Sequence, residues 1–474
     1  MSAATAAEAL AGLFAAQRAA FAADPHPPLE LRRDRLDRLA AAVEENEPEI
    51  TAAVAADFGA RAAQETRLAE LFMIHAGVRH ARRHLADWMR PRRVPTPLYL
   101  RPGRSRIVRQ PVGVVGIISP WNYPVQLALL PAVAALAAGN RVLLKPSELT
   151  PQTSALLARI VRERFVAEEF AVATGGADVG EAFARLPFDH LFFTGSTAVG
   201  RKVALAAAHN LTPVTLELGG KSPAIVHPDA DLDALAPRLA AGKLLNAGQT
   251  CIAPDYVLAP RERVEALIDA LSKSVAALYP HLGANPDYTG IVDDRHYARL
   301  SALVADAQAK GARVVPINPG NELLPERTRR FPPTLLPGAR DDMAAMREEI
   351  FGPVLPIESY ERIDEAIARV NARPRPLALY AFGGGAAFRE RVLRETFSGG
   401  VTFGDTLLHF SNEALPFGGI GDSGMGAYHG ERGFRTFSHE KAVFVQPRYA
   451  LTGLLRPPYG TRFETVLRLL KRIA

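Results

Sequence analysis

Between residues 112 and 218 short apolar runs alternate with longer stretches of helical periodicity, and few folds accept that pattern. Residues 112–118 form a continuous apolar run, as expected of a strand buried on both faces. Residues 125–138 read as a helix, although Pro131 lies inside it. Residues 141–145 read as a strand and 151–164 as a helix with proline in its first turn. Further strands are expected at 170–174, 188–194 and 213–218, with helices at 178–185 and 197–208 between them. Repeated strand–helix units of this length specify an α/β fold built on a doubly wound parallel sheet.

The flanking segments read differently. Residues 31–88 are helical, with Leu36, Leu39 and Val43 at helical spacing, and likewise Leu68, Leu71 and Phe72. Residues 94–110 break that pattern: Pro95, Pro97, Pro102 and Gly103 bracket two short expected strands, 98–100 and 104–108. After Gly220 a second α/β region follows. Its helices are expected at 232–246, 262–277, 294–310, 361–370 and 386–395, and its strands at 256–258, 314–317, 354–358 and 377–382. Residues 399–426 are glycine-rich and read as loops, and 442–446 as a late strand.

Composition narrows the function. Hydrophobic residues are 48% and charged residues 22%, ordinary for a globular protein. The net charge is +6, but Lys and Arg are scattered, with no basic stripe carrying readout or stacking residues, so no nucleic-acid partner is expected. No uncharged apolar run reaches the ~18 residues of a membrane span, and residues 1–23 lack the charged start and apolar core of a signal peptide. Cys251 is the single cysteine, which excludes an internal disulfide, a CxxC pair and a cysteine-rich metal site; no metal is expected, and a cytoplasmic location is.

A lone cysteine is either inert core or a nucleophile. Cys251 closes Gly248-Gln249-Thr250-Cys251; upstream lie Glu217-Leu218-Gly219-Gly220-Lys221-Ser222-Pro223 and Pro120-Trp121-Asn122-Tyr123-Pro124. A thiol, a carboxylate and an amide are the components of a covalent thioester mechanism. Asn122 either stabilises a proline-bounded turn or donates to a developing oxyanion. Glu217, at the end of an apolar strand, is either a general base or the ion-pair partner of Lys221. Gly195-Ser196-Thr197-Ala198-Val199-Gly200 opens a helix after a strand, as a phosphate site or as a plain junction. Lys145 and Glu148 follow another strand of the same sheet, where ligands bind in open α/β sheets, unless they are simply surface charges.

Together these motifs resemble the NAD(P)-dependent aldehyde dehydrogenases. The matching pieces are Pro-Trp-Asn-Tyr-Pro at 120–124, Lys-Pro-Ser-Glu at 145–148, Gly-Ser-Thr-Ala-Val-Gly at 195–200, Glu-Leu-Gly-Gly-Lys-Ser-Pro at 217–223, Gly-Gln-Thr-Cys at 248–251 and Glu-Glu-Ile-Phe-Gly-Pro at 348–353. Residues 249–256, with 415–419 through 428–430, resemble the class 3 branch, and 406–410 resemble its bacterial coniferyl aldehyde dehydrogenases. The resemblance implies that Cys251 attacks the aldehyde, that Asn122 and the Cys251 N–H hold the oxyanion, and that Glu217 activates the hydrolytic water. It places Trp121, Gly195, Ser196, Thr197 and Gly200 around the cofactor, with Ser196 and its turn at the pyrophosphate. Lys145 and Glu148 fall at the adenosine ribose, and Leu218, Glu349 and Phe351 at the nicotinamide side. NAD is the implied cofactor, with NADP possible in its place.

The same resemblance implies a cofactor domain of residues 1–92 and 111–219 and a catalytic domain of 220–420. It adds an oligomerisation element of 93–110 and 438–450, a tail of 451–474, and a homodimer. Gly404 departs from the pattern, since the family usually places there an asparagine that braces active-site loops. Tyr123, Phe403, His409 and Phe410 are expected to line an aromatic pocket or to pack in the core; aromatic or medium-chain aldehydes are the expected substrates. The basic, amphipathic stretch 462–474 is expected to cap the substrate funnel or to touch a membrane surface. Two rival functions remain: a CoA-acylating enzyme, whose relatives generally lack a glutamate at the position of Glu217, and a non-catalytic protein on the same fold.

Overall fold

The computed structural model describes residues 3–473. A six-stranded sheet runs Gly424–Met425, Val214–Glu217, His190–Thr194, Val114–Ile118, Arg141–Lys145, Phe170–Val172. All neighbours are parallel except the pair containing Gly424–Met425. Counted along the chain, the five parallel strands are arranged 3-2-1-4-5. The winding therefore reverses between Val114–Ile118 and His190–Thr194, and the carboxyl ends of those two strands frame the crevice where doubly wound sheets bind ligands.

Both faces of this sheet are covered. Helix Gln126–Ala138 is apolar all round and buried along its whole length, and it continues through Pro131. On the opposite face Leu10 and Phe14, from helix Ala3–Ala23, pack with Phe183, Phe188 and Val203. The alternation read from 112 to 218 is thus realised, with strand ends trimmed by one or two residues.

The second sheet has seven strands in the order Val315–Pro316, Thr334–Pro337, Val354–Tyr360, Tyr256–Pro260, Pro223–Val226, Ala378–Phe382, Gly400–Phe403. It is parallel except at Val315–Pro316. Gly400–Phe403 lies inside the glycine-rich segment read as loop, and its edge position needs pairing on one side only. A third sheet, antiparallel, joins Arg92–Val94, Arg104–Pro111 and Ser438–Val445.

Residues 98–100, expected as a strand, form a 3₁₀ turn instead. Pro95 and Pro97 remove ladder donors just before it, so Arg104–Pro111 pairs with Arg92–Val94 and the late strand. The tail forms helix Thr461–Ile473, and no described residue of it lines the apolar cavity introduced below. Among the described residues no helix is long and apolar enough to cross a membrane.

Asn140 ties the first sheet to its covering helices. Its fully buried side chain accepts from Gly113 N at 3.0 Å and donates to the carbonyls of Ala135 at 3.0 Å and Phe437 at 2.9 Å. Asn140→Ala is expected to destabilise the protein by about 2 kcal/mol, since buried groups lose their partners; a lowered midpoint of urea unfolding is the readout.

Candidate active site

Cys251 sits beyond an abrupt helix end. Helix Leu232–Leu244 stops two residues before the expected limit, and Asn246 and Ala247 take left-handed φ values of 53° and 51°. Non-glycine residues there store strain and persist only where surroundings hold them. Gly248 follows with φ 76°, pressed so closely on the Gly352 carbonyl that a Cβ has no room. The Gln249 side chain locks the reversal, donating to Asn246 O at 2.9 Å and Gly290 O at 3.0 Å and accepting from Val292 N at 3.0 Å. Thr250 Oγ1 meets Tyr123 Oη at 2.7 Å, and Tyr380 Oη donates to Ile252 O. Cys251 emerges half-buried from this clamp.

Asn122 follows the carboxyl end of Val114–Ile118 and is buried. One of its amide N–H groups donates to Gln249 O at 3.1 Å, which leaves the other for a ligand. Glu217 ends strand Val214–Glu217, is 2% exposed, and neither carboxylate oxygen has a hydrogen-bond partner. The ion pair with Lys221 does not form. Lys221 binds Asp255 instead, and donates to Ala345 O at 2.8 Å and Glu348 O at 3.0 Å.

Desolvation governs the charges here. Burial pushes the Glu217 carboxyl well above its ordinary value. Burial, reinforced by Asp255, raises Glu349 to about 8. The Cys251 thiol is raised by burial first and then by Glu349 and Glu217.

A polar cleft of about 280 Å³ lies at the reversal point of the first sheet. It gathers Trp121, Asn122, Gly195, Ser196, Glu217, Leu218, Cys251, Glu349 and Phe351. Phe351 has φ 51°, unusual for an aromatic residue, and meets Trp121 edge-to-face with centroids 5.3 Å apart. Glu349 presses on Gly219, where any side chain would collide with its carboxylate. Ser196 caps helix Thr197–Ala208, its hydroxyl accepting from Val199 N at 3.4 Å.

Four of the sequence candidates stand outside the cleft wall. Thr197 donates to Asp422 O at 3.0 Å, and Gly200 packs inside the helix against Leu218. Lys145 and Glu148 lie one strand over, paired at 2.9 Å, with Lys145 O accepting from Ser119 N beside Pro120 and Trp121.

An apolar cavity of about 590 Å³ approaches Cys251 from another side. Tyr123 and Phe410 line it, but Phe403 and His409 do not. Phe403 packs on the core of the second sheet; His409 Nδ1 bonds Thr402 Oγ1 at 2.9 Å and its ring stacks on Phe417. Leu68 and Phe72 line the cavity, 64% and 52% exposed, whereas Leu71, which shares their helical spacing, is buried. The helix carries a π turn at Arg67–Leu71, which shifts the helical phase so that only Leu71 of the three turns inward. Gly404 has φ 74°, a conformation asparagine also tolerates, and the loop is braced at its carbonyl by Arg238 Nη1 at 2.6 Å.

His296, Arg299 and Thr194 complete the polar cleft and were not singled out from sequence. His296 packs on Trp121 with centroids 5.0 Å apart, and Arg299 donates to the carbonyls of Glu349 and Ile350. Both lie on helix Asp294–Ala309, legible only as a helix.

Residues 1–443 match the profile of the aldehyde dehydrogenase family. A Pseudomonas aeruginosa protein described as "Probable coniferyl aldehyde dehydrogenase" is 49% identical over 458 residues, spanning 97% of this chain and 95% of that protein. The substrate-bound state of Staphylococcus aureus AldH matches with a TM-score of 0.92 at 40% identity, over 97% of this chain and 99% of that one. A Pseudomonas syringae aldehyde dehydrogenase C variant in complex with NAD+ and octanal matches with a TM-score of 0.83 at 29% identity, over 94% and 90%. The chain belongs to the aldehyde dehydrogenase family. It is an enzyme of that family, whose members depend in general on NAD(P).

Because the chain has one cysteine, its ionisation is readable by whole-protein mass. Burial and two neighbouring carboxyls oppose thiolate formation, so alkylation by iodoacetamide is expected to keep climbing from about pH 7 to about pH 10. A plateau just above the ordinary thiol value of about 8.5 would contradict the raised thiol.

Proposed function

We propose that the enzyme oxidises an aldehyde to its carboxylic acid through a covalent intermediate on Cys251. One observation carries the reading: among the described residues, Cys251 alone lines both the polar cleft and the apolar cavity. An aldehyde entering along apolar walls would meet the thiol with a cofactor waiting on the other side. Cys251 gives up its thiol proton to solvent, and the Sγ–C bond forms as the carbonyl oxygen takes up charge, which the free Asn122 N–H and the Cys251 backbone N–H stabilise. Bound NAD(P) supplies the hydride acceptor that converts this adduct to a thioester. Glu217 then takes a proton from water as it attacks the thioester carbon; the C–S bond breaks, the acid leaves and the thiol is restored.

The cleft suits a dinucleotide. Buried polar atoms of Thr194, Glu217 and Glu349 lack partners within the protein, and Gly219 and Gly195 leave no space for side chains of their own. Trp121, Ser196, Leu218, Glu349 and Phe351 would hold the cofactor in the cleft. Gly195, Thr197 and Gly200 would shape the phosphate turn, and Lys145 and Glu148 would take the adenosine ribose. The Glu148 carboxyl is exposed, and against a partial desolvation Lys145 holds it below its ordinary value. An ionised Glu148 repels a 2′-phosphate, so NAD is preferred. The expected result is a higher kcat/KM with NAD than with NADP, narrowed in Glu148→Gln.

For the substrate, the apolar cavity with Tyr123 and Phe410 on its wall favours an aromatic aldehyde such as coniferyl aldehyde, or a medium-chain aliphatic one. The first sheet supports a cofactor domain of residues 1–92 and 111–219, and the second a catalytic domain of 220–420. The strand Ser438–Val445, with Phe444 and Val445 exposed, supports pairing of two copies through the third sheet.

The deciding experiment separates hydrolysis from hydride transfer. Glu217→Gln is expected to release about one NADH per subunit in a burst and then to stall as the thioacyl enzyme, because a positioned base contributes roughly 10²–10⁴-fold to deacylation. Intact mass would show the adduct on Cys251. Undiminished steady acid production would remove Glu217 from the reaction, and preferential acyl-CoA formation by the wild type would make CoA the acyl acceptor.

A further inference from the structure

The loop that presents Asn122 is anchored by a buried ion pair outside both cavities. Helix Gln126–Ala138 begins just after Asn122-Tyr123-Pro124, and its N-cap, Val125, offers no side-chain cap. The cap comes from another helix: Glu70 Oε2 accepts from Val125 N at 2.8 Å and Gln126 N at 3.1 Å. A carboxylate there satisfies orphan donors and faces the positive end of the helix dipole. The other Glu70 oxygen lies 3.2 Å from Arg61 Nη2, and both side chains are fully buried.

Arg61 extends the anchor to Asn122 itself. Its Nη1 donates to Asn122 O at 3.0 Å, and its guanidinium lies 5.1 Å from the Phe58 ring and 4.9 Å from the Tyr123 ring. A second hand, Asn246 Nδ2, reaches the same carbonyl at 2.9 Å. Ion pairs this deep are a poor source of stability, since apolar replacements often do as well. What this pair supplies is aim: Arg61 bonds the Asn122 carbonyl, and Glu70 holds the start of the helix that follows the same loop.

We propose that Glu70 and Arg61 are positioning residues that hold the Asn122 amide in line with the aldehyde oxygen; this rests on Asn122 being the oxyanion donor. The π turn Arg67–Leu71 makes the arrangement possible. Glu70 lies within this wider turn and reaches the Asn122 loop, while Leu68 and Phe72 stand on the wall of the apolar cavity. Substrate wall and oxyanion loop are thereby set by one backbone irregularity.

The test is a double-mutant cycle with two readouts: aldehyde oxidation, and hydrolysis of 4-nitrophenyl acetate, which needs the oxyanion donor but no cofactor. Asn122→Ala should lower kcat by about 10²–10³. Glu70→Gln keeps an acceptor for the helix N–H groups but leaves Arg61 uncompensated. It should lower kcat about tenfold or more in both assays, with NAD affinity by fluorescence titration changed less than about twofold. In the Asn122→Ala background the same change should cost less than about twofold, because the group being aimed is gone. Equal losses in both backgrounds, or full activity in folded Glu70→Gln, would overturn the proposal. If Glu70→Gln does not fold, Arg61→Lys, which keeps the charge but withdraws the bond to Asn122 O, goes through the same cycle with the same criteria. Wild-type activity in Asn122→Ala would instead overturn the oxyanion assignment beneath it, a result recognisably different from equal losses.

Discussion

The site depends on the backbone reversal at Asn246–Gly248. A helix continuing through these positions would carry Cys251 onto its own surface, away from the mouth of the first sheet. Two non-glycine residues in left-handed conformation and a glycine packed against Gly352 turn the chain instead. The strain is of order 1–3 kcal/mol per residue, and the bonds of Gln249 and the side chain of Asn246 to Asn122 and Gln249 carbonyls offset it. Gly352 adjoins Phe351, so the loop that bears the thiol is pressed against the loop that bears two cleft residues, Glu349 and Phe351. Both loops lead into neighbouring strands of the second sheet, Tyr256–Pro260 and Val354–Tyr360.

Electrostatics then follow from how dry the site is. Glu217 has no bonded partner and Glu349 only a partial one, so burial raises both carboxyls and, with them, the thiol. The Glu217 carboxyl is not tied up by Lys221, which Asp255 has taken. One carboxylate, Asp255, is thus paired, and the other, Glu217, is left bare.

Much of the cleft was legible because its residues sit in short motifs at strand ends. Trp121, Asn122, Gly195, Ser196, Glu217 and Leu218 follow directly on strands whose apolar runs are unmistakable. The apolar cavity was not legible. Its wall draws on separate stretches around residues 68–73, 123–127, 237–245, 250–252 and 405–411, and no local pattern links them. Phe403 packs against the second sheet's core and His409 stacks on Phe417, both away from the cavity, whereas Leu68 and Phe72 face it.

The sequence by itself determined the order of strands and helices between residues 112 and 218, the doubly wound sheet they build, and Cys251, Glu217 and Asn122 as candidates. Those properties are written in residue type and in periods of two and 3.6, which act over a few neighbours. Only the tertiary structure decided which partner Lys221 takes, where the second sheet's edge strand lies, and that Leu68 and Phe72 turn outward. The physical reason is the same in each case. A π turn, a left-handed reversal and a choice between two carboxylates are settled by packing and desolvation among segments distant in the chain, and periodicity carries no record of them.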